Sequence, residues 1–156
     1  MLVGDIMHTD VRTADPEDTF ADVAKIMRTH GISSVVMKQE SGKLAGIVTE
    51  RDLVNLVAAG GDPQTVKVAH GMTRRNLETV DPKTDIAEAA DKMVSLNIRH
   101  VPVLDDGRVV GIISIRDLTR WAAEELSGGH EMPDIARSQK ALRAASELQK
   151  QRRLSS

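Results

Sequence analysis

Two short segments carry the side chains best suited to holding an anion. Each combines a hydroxyl, a cation and a carboxylate within four residues: Thr49, Arg51 and Asp52 in one, Ser114, Arg116 and Asp117 in the other. A Ser or Thr three residues before an acid is also a helix-capping pattern, in which both side chains satisfy free backbone N–H groups. At a helix start the same groups favour a phosphate, and the carboxylate suits the two hydroxyls of a ribose. The two interpretations are compatible.

The rest of the sequence offers no competing catalytic or metal-binding motif. The five histidines lack HxxxH or HxH spacing, and there is no cysteine to join them. Neither a GxSxG elbow, a GxxxxGK phosphate loop nor a GxGxxG fingerprint occurs. We therefore expect no enzymatic activity, no catalytic residue and no metal site.

Composition limits the partners and the compartment. A formal net charge of −2 provides no global field to attract nucleic acid or an anionic membrane, so nucleic acid is a disfavoured partner. No segment approaches the roughly 18 apolar residues of a membrane span, and the first residues resemble no signal peptide. We expect a cytoplasmic protein with no membrane partner.

The elements that position the two segments belong to an internal repeat. At an offset of 66 residues, and of 65 after one residue is dropped, identical residues recur in order through both halves. The matched pairs include Asp15 with Asp81, Pro16 with Pro82, Met27 with Met93, Gly46 with Gly111 and Asp52 with Asp117. Two copies of one structural unit are therefore present.

Each copy predicts the order β-α-β-β-α. An Asp-Pro turn leads into a helical apolar pattern, followed by two β-branched runs around a Gly turn and a second helix. The predicted limits are 1–60 for the first unit, 61–73 for a linker, 74–126 for the second unit and 127–156 for a C-terminal amphipathic helix and tail. Val66, Val68 and Met72 of the linker are expected to return to the core. The two units are expected to pack together, since one alone is marginal in size.

This arrangement resembles the CBS-domain family, whose tandem pair is also called a Bateman module. The resemblance covers residues 5–125 and rests on the G-h-h-T/S-x-x-D ending of each unit (h, apolar), on Val101-Pro102-Val103 and on Asp105-Asp106-Gly107. It implies an α+β fold of two β-α-β-β-α units related by pseudo-twofold symmetry, with the C-terminal helix in addition.

The resemblance also implies a function. Family pairs hold AMP, ADP or ATP in the cleft between units, with S-adenosylmethionine as the less favoured ligand, and transmit a conformational change to a partner without catalysis. The ligand-binding residues expected here are Thr13, Thr49, Arg51, Asp52, Thr79, Arg99, His100, Val101, Pro102, Ser114, Arg116 and Asp117. No obligatory cofactor is expected. A homodimer is expected, with Trp121 as an outward-facing contact, and an unknown protein as the regulated partner. The alternative is a ligand-free interaction or dimerisation scaffold.

The two copies differ in the charge they supply. The second has Arg99 and His100 at the entrance of its hairpin, where the first has Ser33 and Ser34. We expect the second copy to bind the nucleotide more tightly. Arg99 and His100 could equally be solvated residues at the hairpin edge.

The C-terminal segment lies outside the repeat. Over residues 134–153 it carries six basic and two acidic side chains, a net charge of +4, beside a thin apolar stripe. The pattern favours an amphipathic helix that docks on its own module or on a dimer mate. Contact with an acidic partner or nucleic acid is the less favoured alternative, since no aromatic is available to stack on bases.

Overall fold

The structure is a computed structural model that describes residues 1–127 together with positions 143 and 147. The first repeat contains β1 (Thr13–Ala14), α2 (Phe20–His30), β2 (Ser34–Lys38), β3 (Leu44–Thr49) and α3 (Glu50–Ala58), preceded by α1 (Val3–Ile6). The second contains α4 (Ile86–Ser95), β4 (His100–Asp105), β5 (Arg108–Ser114) and α5 (Ile115–Ser127), preceded by a 3₁₀ turn (Val68–His70). The predicted α+β class is confirmed.

The sheets follow the predicted hairpins. In the first repeat β1 runs parallel to β2, with Thr13 opposite Val36, and β2 is antiparallel to β3. In the second repeat β4 pairs with β5, and a single parallel bridge between Val80 and Val103 takes the place of the short first strand. Each hairpin therefore leads directly from its second strand into a helix.

Local sequence fixes where the helices begin and end. The Thr19 hydroxyl accepts the backbone N–H of Asp22 at 3.2 Å at the start of α2, and Gly31 ends that helix with a φ of 62°. At the start of α4, the Asp85 carboxylate accepts the N–H of Ala87 at 2.9 Å. None of the helices in residues 1–127 is long and apolar enough to cross a membrane.

The chain divides into two compact units that do not follow the order of the sequence. The first-repeat unit consists of residues 10–78 and 106–109, and the second-repeat unit of residues 1–9, 79–105 and 110–127 within the described part of the chain. The limits 1–60 and 74–126 thus describe the repeat along the chain, whereas residues 1–9 pack with the second repeat. The predicted helix of 127–156 lies outside the described residues, except that Arg143 and Glu147 are helical and exposed.

Each unit has its own aliphatic core. Phe20, Val23, Met37 and Val48 are buried in the first-repeat unit, where Val66, Val68 and Met72 return to the core as predicted. The core of the second-repeat unit is built around Ile86, Met93, Ile113 and Leu118. It also contains Trp121, which is only 8% exposed, so the expectation of an outward-facing Trp121 is wrong. Burial of its large indole contributes more to the stability of the fold than exposure at the surface would.

A short segment closes each unit, and we call these segments straps. The N-terminal strap, residues 1–9, belongs to the second-repeat unit, and the linker strap, residues 66–73, belongs to the first-repeat unit. They make equivalent backbone bonds: His8 and Ile112 exchange two of 2.9 Å, and Thr73 and Ile47 exchange two of 2.9 and 3.0 Å. Each repeat is thus completed by the segment that precedes the other repeat in the chain.

Glycines allow the straps to approach the strands. A Cβ on Gly46 would lie 2.6 Å from the Thr73 carbonyl oxygen, and one on Gly111 would lie 2.4 Å from the Met7 sulfur. The atom nearest to a Cβ on Gly46 is a backbone oxygen, which cannot easily move. The atom nearest to a Cβ on Gly111 is the end of a flexible side chain that can adopt another rotamer.

We therefore expect Gly46→Ala to destabilise the protein by about 2 kcal/mol, and Gly111→Ala by roughly half as much. Urea unfolding of the full chain measures both. Met7→Ala should recover part of the loss in Gly111→Ala, whereas Met72→Ala should recover none in Gly46→Ala. Equal losses of stability in the two glycine variants, or recovery of stability in both, would show that contact with the straps is not the reason for glycine at these positions.

Candidate functional site

Each strand-to-helix turn is built around one carboxylate oxygen. At the start of α3, Oδ2 of Asp52 accepts the Thr49 backbone N–H at 2.7 Å and the Thr49 hydroxyl at 3.0 Å. At the start of α5, Oδ2 of Asp117 accepts the Ser114 N–H at 2.8 Å and the Ser114 hydroxyl at 2.6 Å. The capping role foreseen for these residues is confirmed. It engages one oxygen of each carboxylate and leaves the other for a second partner.

A further bond joins each turn to the entrance of its hairpin. The first N–H of α5, from Ile115, donates to the Arg99 carbonyl at 3.0 Å, and the first N–H of α3, from Glu50, donates to the Ser33 carbonyl at 3.1 Å. Arg99 and its counterpart Ser33 therefore lie beside the helix N-termini, where the helix dipole favours an anion.

The predicted basic residues of the second repeat lie together. His100 interacts electrostatically with Arg99, Asp117 and Arg116. Burial lowers the pKa of His100 to about 4, and the positive charges of Arg99 and Arg116 act in the same direction against the opposing effect of Asp117. At neutral pH the imidazole is therefore uncharged. The guanidinium groups supply the positive charge of this cluster, and His100 supplies a neutral hydrogen-bonding group.

Of the remaining predicted residues, Arg51 is exposed in the first turn of α3, and the others offer backbone groups or lie in the core. Val101 is fully buried in the core of its unit, and Pro102, also buried, accepts the Val80 N–H at 3.2 Å. The Thr79 carbonyl accepts from Lys92 Nζ at 3.3 Å. Thr13 is exposed on β1. These positions can present main-chain groups, but the Val101 side chain is unavailable to a ligand.

Sequence reasoning missed His8, the polar partner of Asp117. Nε2 of His8 lies 2.8 Å from Oδ1 of Asp117, the oxygen that Ser114 leaves open. Because a carboxylate only accepts, the imidazole donates this bond. The Asp117 side chain is 4% exposed and that of His8 57% exposed. Nothing in the local pattern around His8 signals this contact, since the two residues are brought together only by the packing of the N-terminal strap.

A cavity of about 310 Å³ borders the corresponding carboxylate of the first repeat. It is lined by Phe20, Asp52, Asn55, Leu56, Val66, His70 and Gly71. In the second repeat, Trp121 and Ile6 stand at the positions equivalent to Leu56 and Gly71, and both pack in the core. Asp52 is thus the more accessible carboxylate, whereas Asp117 lies in the more highly charged surroundings.

Comparison with known proteins places the repeat in a family. The model of the CBS domain matches residues 3–59 and again residues 68–124. Each match begins in a strap; the first ends one residue after α3, and the second ends within α5. The CBS domain pair of a protein solved in complex with 5′-methylthioadenosine and S-adenosyl-L-methionine is 33% identical, with a TM-score of 0.75 over 80% of this chain and 98% of that one.

Two of the curated relatives are longer than this chain. An uncharacterized protein of Methanopyrus kandleri is 38% identical over 74% of this chain and 60% of its own length. The mitochondrial CBS domain-containing protein CBSX3 of Arabidopsis thaliana is 34% identical over 79% of this chain and 65% of its own length. The chain thus spans less than two thirds of both relatives.

The depressed pKa of His100 predicts a pH-dependent stability. The unfolded chain takes up a proton on this residue near pH 6.5, whereas the folded chain does so only near its lowered pKa of about 4, so acid favours unfolding between these values. Between pH 7 and pH 4.5 the free energy of unfolding should fall by about 2 kcal/mol more in the wild type than in His100→Gln.

Urea titrations at several pH values measure this difference. His30→Gln, which removes an exposed histidine at the end of α2, is the control and should retain the wild-type pH dependence. An unchanged slope in His100→Gln would contradict the assignment of His100 as a neutral, desolvated residue.

Proposed function

Because the chain belongs to the CBS-domain family, we propose that it is a regulatory module that binds an adenine nucleotide and acts on a partner without catalysing a reaction. The observation that carries this proposal is the cluster of Arg99, His100, Arg116 and Asp117 at the N-terminus of α5. It combines an acceptor for ribose hydroxyls with two guanidinium groups for phosphate. The similar domain pair solved with two adenosyl compounds supports adenosine as the shared part of the ligand.

Each group has a proposed role. Asp117 and Asp52 accept ribose hydroxyls, and Ser114 and Thr49 hold these carboxylates in place. Arg99 and Arg116 bind phosphate in the second repeat, Arg51 does so in the first, and neutral His100 donates or accepts one hydrogen bond. In the second repeat, backbone groups near Thr79 meet the adenine beside the strand positions of Val101 and Pro102, and in the first repeat those near Thr13 do so.

Regulation requires that the nucleotide bind one conformation of the module better than another. The N-terminus of α5 provides such a dependence, because its N–H groups and the adjoining guanidinium groups of Arg99 and Arg116 must converge on one phosphate. A partner protein that recognises the nucleotide-bound conformation would then sense the nucleotide. The choice among AMP, ADP, ATP and S-adenosylmethionine depends on how much negative charge the two guanidinium groups balance.

Isothermal titration calorimetry with AMP, ADP, ATP, S-adenosylmethionine, 5′-methylthioadenosine and NAD tests the proposal. We expect heat and a raised melting temperature with at least one adenine nucleotide, and recovery of that nucleotide unchanged after long incubation. Absence of binding with all six would refute nucleotide sensing, and consumption of the nucleotide would refute the non-enzymatic role.

The two carboxylates should differ in their importance. Asp117→Ala should weaken nucleotide binding tenfold or more, since a charge-assisted hydrogen bond contributes about 1.5–3 kcal/mol. Asp52→Ala should weaken it less, because the first repeat has Arg51 in place of Arg116 but only Ser33 in place of Arg99. Asp105→Ala, an exposed carboxylate of the hairpin, is the control and should bind as the wild type does. Equal losses, or the reverse order, would contradict this ranking.

A ligand-independent scaffold is the second candidate, favoured by the apolar face of α3. Val54 and Val57, three residues apart on that helix, are 65% and 60% exposed, more than is usual for valine. Burial against a second copy of the chain would account for them. In this case the clefts would have no ligand, and dimerisation itself would be the function.

Replacement of both valines by glutamate should convert a dimer into a monomer in sedimentation velocity, since two charges per copy would have to be desolvated. Glu50→Lys, at an exposed position of the same helix, provides a charge-changing control. A dimer that persists in the double glutamate variant would show that α3 is not the interface.

A further inference from the structure

His8 and Asp117 form a side-chain contact that the structure does not show at the equivalent position of the first repeat. Oδ2 of Asp117 is occupied by the N–H and hydroxyl of Ser114, and Oδ1 is occupied by Nε2 of His8 at 2.8 Å. The carboxylate is almost entirely buried. A ligand hydroxyl that approaches Asp117 therefore finds both oxygens engaged by the protein.

The equivalent position in the first repeat has no such group. Thr73 occupies the place of His8 in the linker strap and exchanges the same pair of backbone bonds, with Ile47 in place of Ile112. Its side chain is exposed, and the hydrogen bonds of Asp52 that the structure shows run to Thr49. The two carboxylates thus share a cap but differ in what covers their second oxygen.

We infer that His8 determines how readily the second repeat accepts a ligand hydroxyl, by competing with it for Oδ1 of Asp117. This inference rests on the proposed binding of an adenine nucleotide. The imidazole can leave without disturbing the fold, because it is more than half exposed while the His8 backbone remains paired with Ile112 and Val3 anchors the strap in the core. His8 is therefore a specificity-determining residue contributed by the segment that precedes the first repeat.

The expected effect is moderate. A hydrogen bond to a charged group is worth more than a neutral one, but solvent screens a donor as exposed as His8. Removal of the imidazole should therefore tighten binding at the second repeat about three- to tenfold. The two guanidinium groups act on phosphate rather than on this oxygen, so the ranking of the carboxylates is unchanged.

Calorimetric titration with AMP tests the inference in chains that carry Asp52→Ala, so that the heat reports the second repeat. His8→Ala should bind AMP three- to tenfold more tightly than the same chain with His8. His8→Gln, whose amide can donate from nearly the position of Nε2, should restore the weaker binding. Such rescue would not follow from a merely structural role.

A transplant provides the matched control. In chains that carry Asp117→Ala, Thr73→His should weaken AMP binding at the first repeat by a similar factor, because it places an imidazole at the equivalent strap position. Urea unfolding of each variant confirms that the straps remain in place.

The outcomes separate the two proposals. If AMP binds and His8→Ala leaves its affinity unchanged, the competition is refuted while nucleotide binding stands. Weaker binding in His8→Ala would also refute it and would make His8 a helper of Asp117 instead. If neither the wild type nor His8→Ala binds any of the adenine compounds, both proposals fail.

Discussion

The carboxylate at the start of the last helix of each repeat is the group on which the rest of the site depends. Oδ2 of Asp52 or Asp117 holds the end of a strand to the first turn of a helix. The first backbone N–H of that helix donates to the carbonyl of Ser33 or Arg99 at the hairpin entrance. A buried carboxylate is tolerated only with such donors. Since one oxygen suffices for the cap, the other can take a second partner, which is His8 for Asp117, and its surroundings distinguish the two repeats.

The straps add a constraint that the linear repeat does not reveal. Each unit is closed by a segment that lies before the other repeat in the chain. Equivalent backbone hydrogen bonds hold these segments, from the Val3 N–H to the Thr84 carbonyl and from the Val68 N–H to the Asp18 carbonyl. Gly46 and Gly111 are required where the straps cross the second hairpin strands. An N-terminal residue such as His8 can therefore act at the end of β5, more than a hundred residues away in the chain.

Much of this organisation could be predicted from the sequence, because the signals were local. The β-branched runs, the Gly turns and the capping pattern fix the hairpins and the helix starts within a few residues of one another. The partner of Asp117 could not be predicted, because it depends on packing between distant segments. The neutrality of His100 also depends on burial and on Arg99 and Arg116 together. Helical periodicity alone does not say how deeply a helix face is buried, so it cannot predict that Trp121 lies in the core.

Comparison of the two repeats separates folding from binding. Positions that are identical in both, such as Pro16 with Pro82 and Gly46 with Gly111, terminate turns or allow close approach of backbone. Three of the positions that differ lie around the two carboxylates: Ser33 against Arg99, Thr73 against His8, and Leu56 against Trp121. Under the proposed function, these three differences would let the two halves keep one architecture while binding different ligands, or one ligand with different strength.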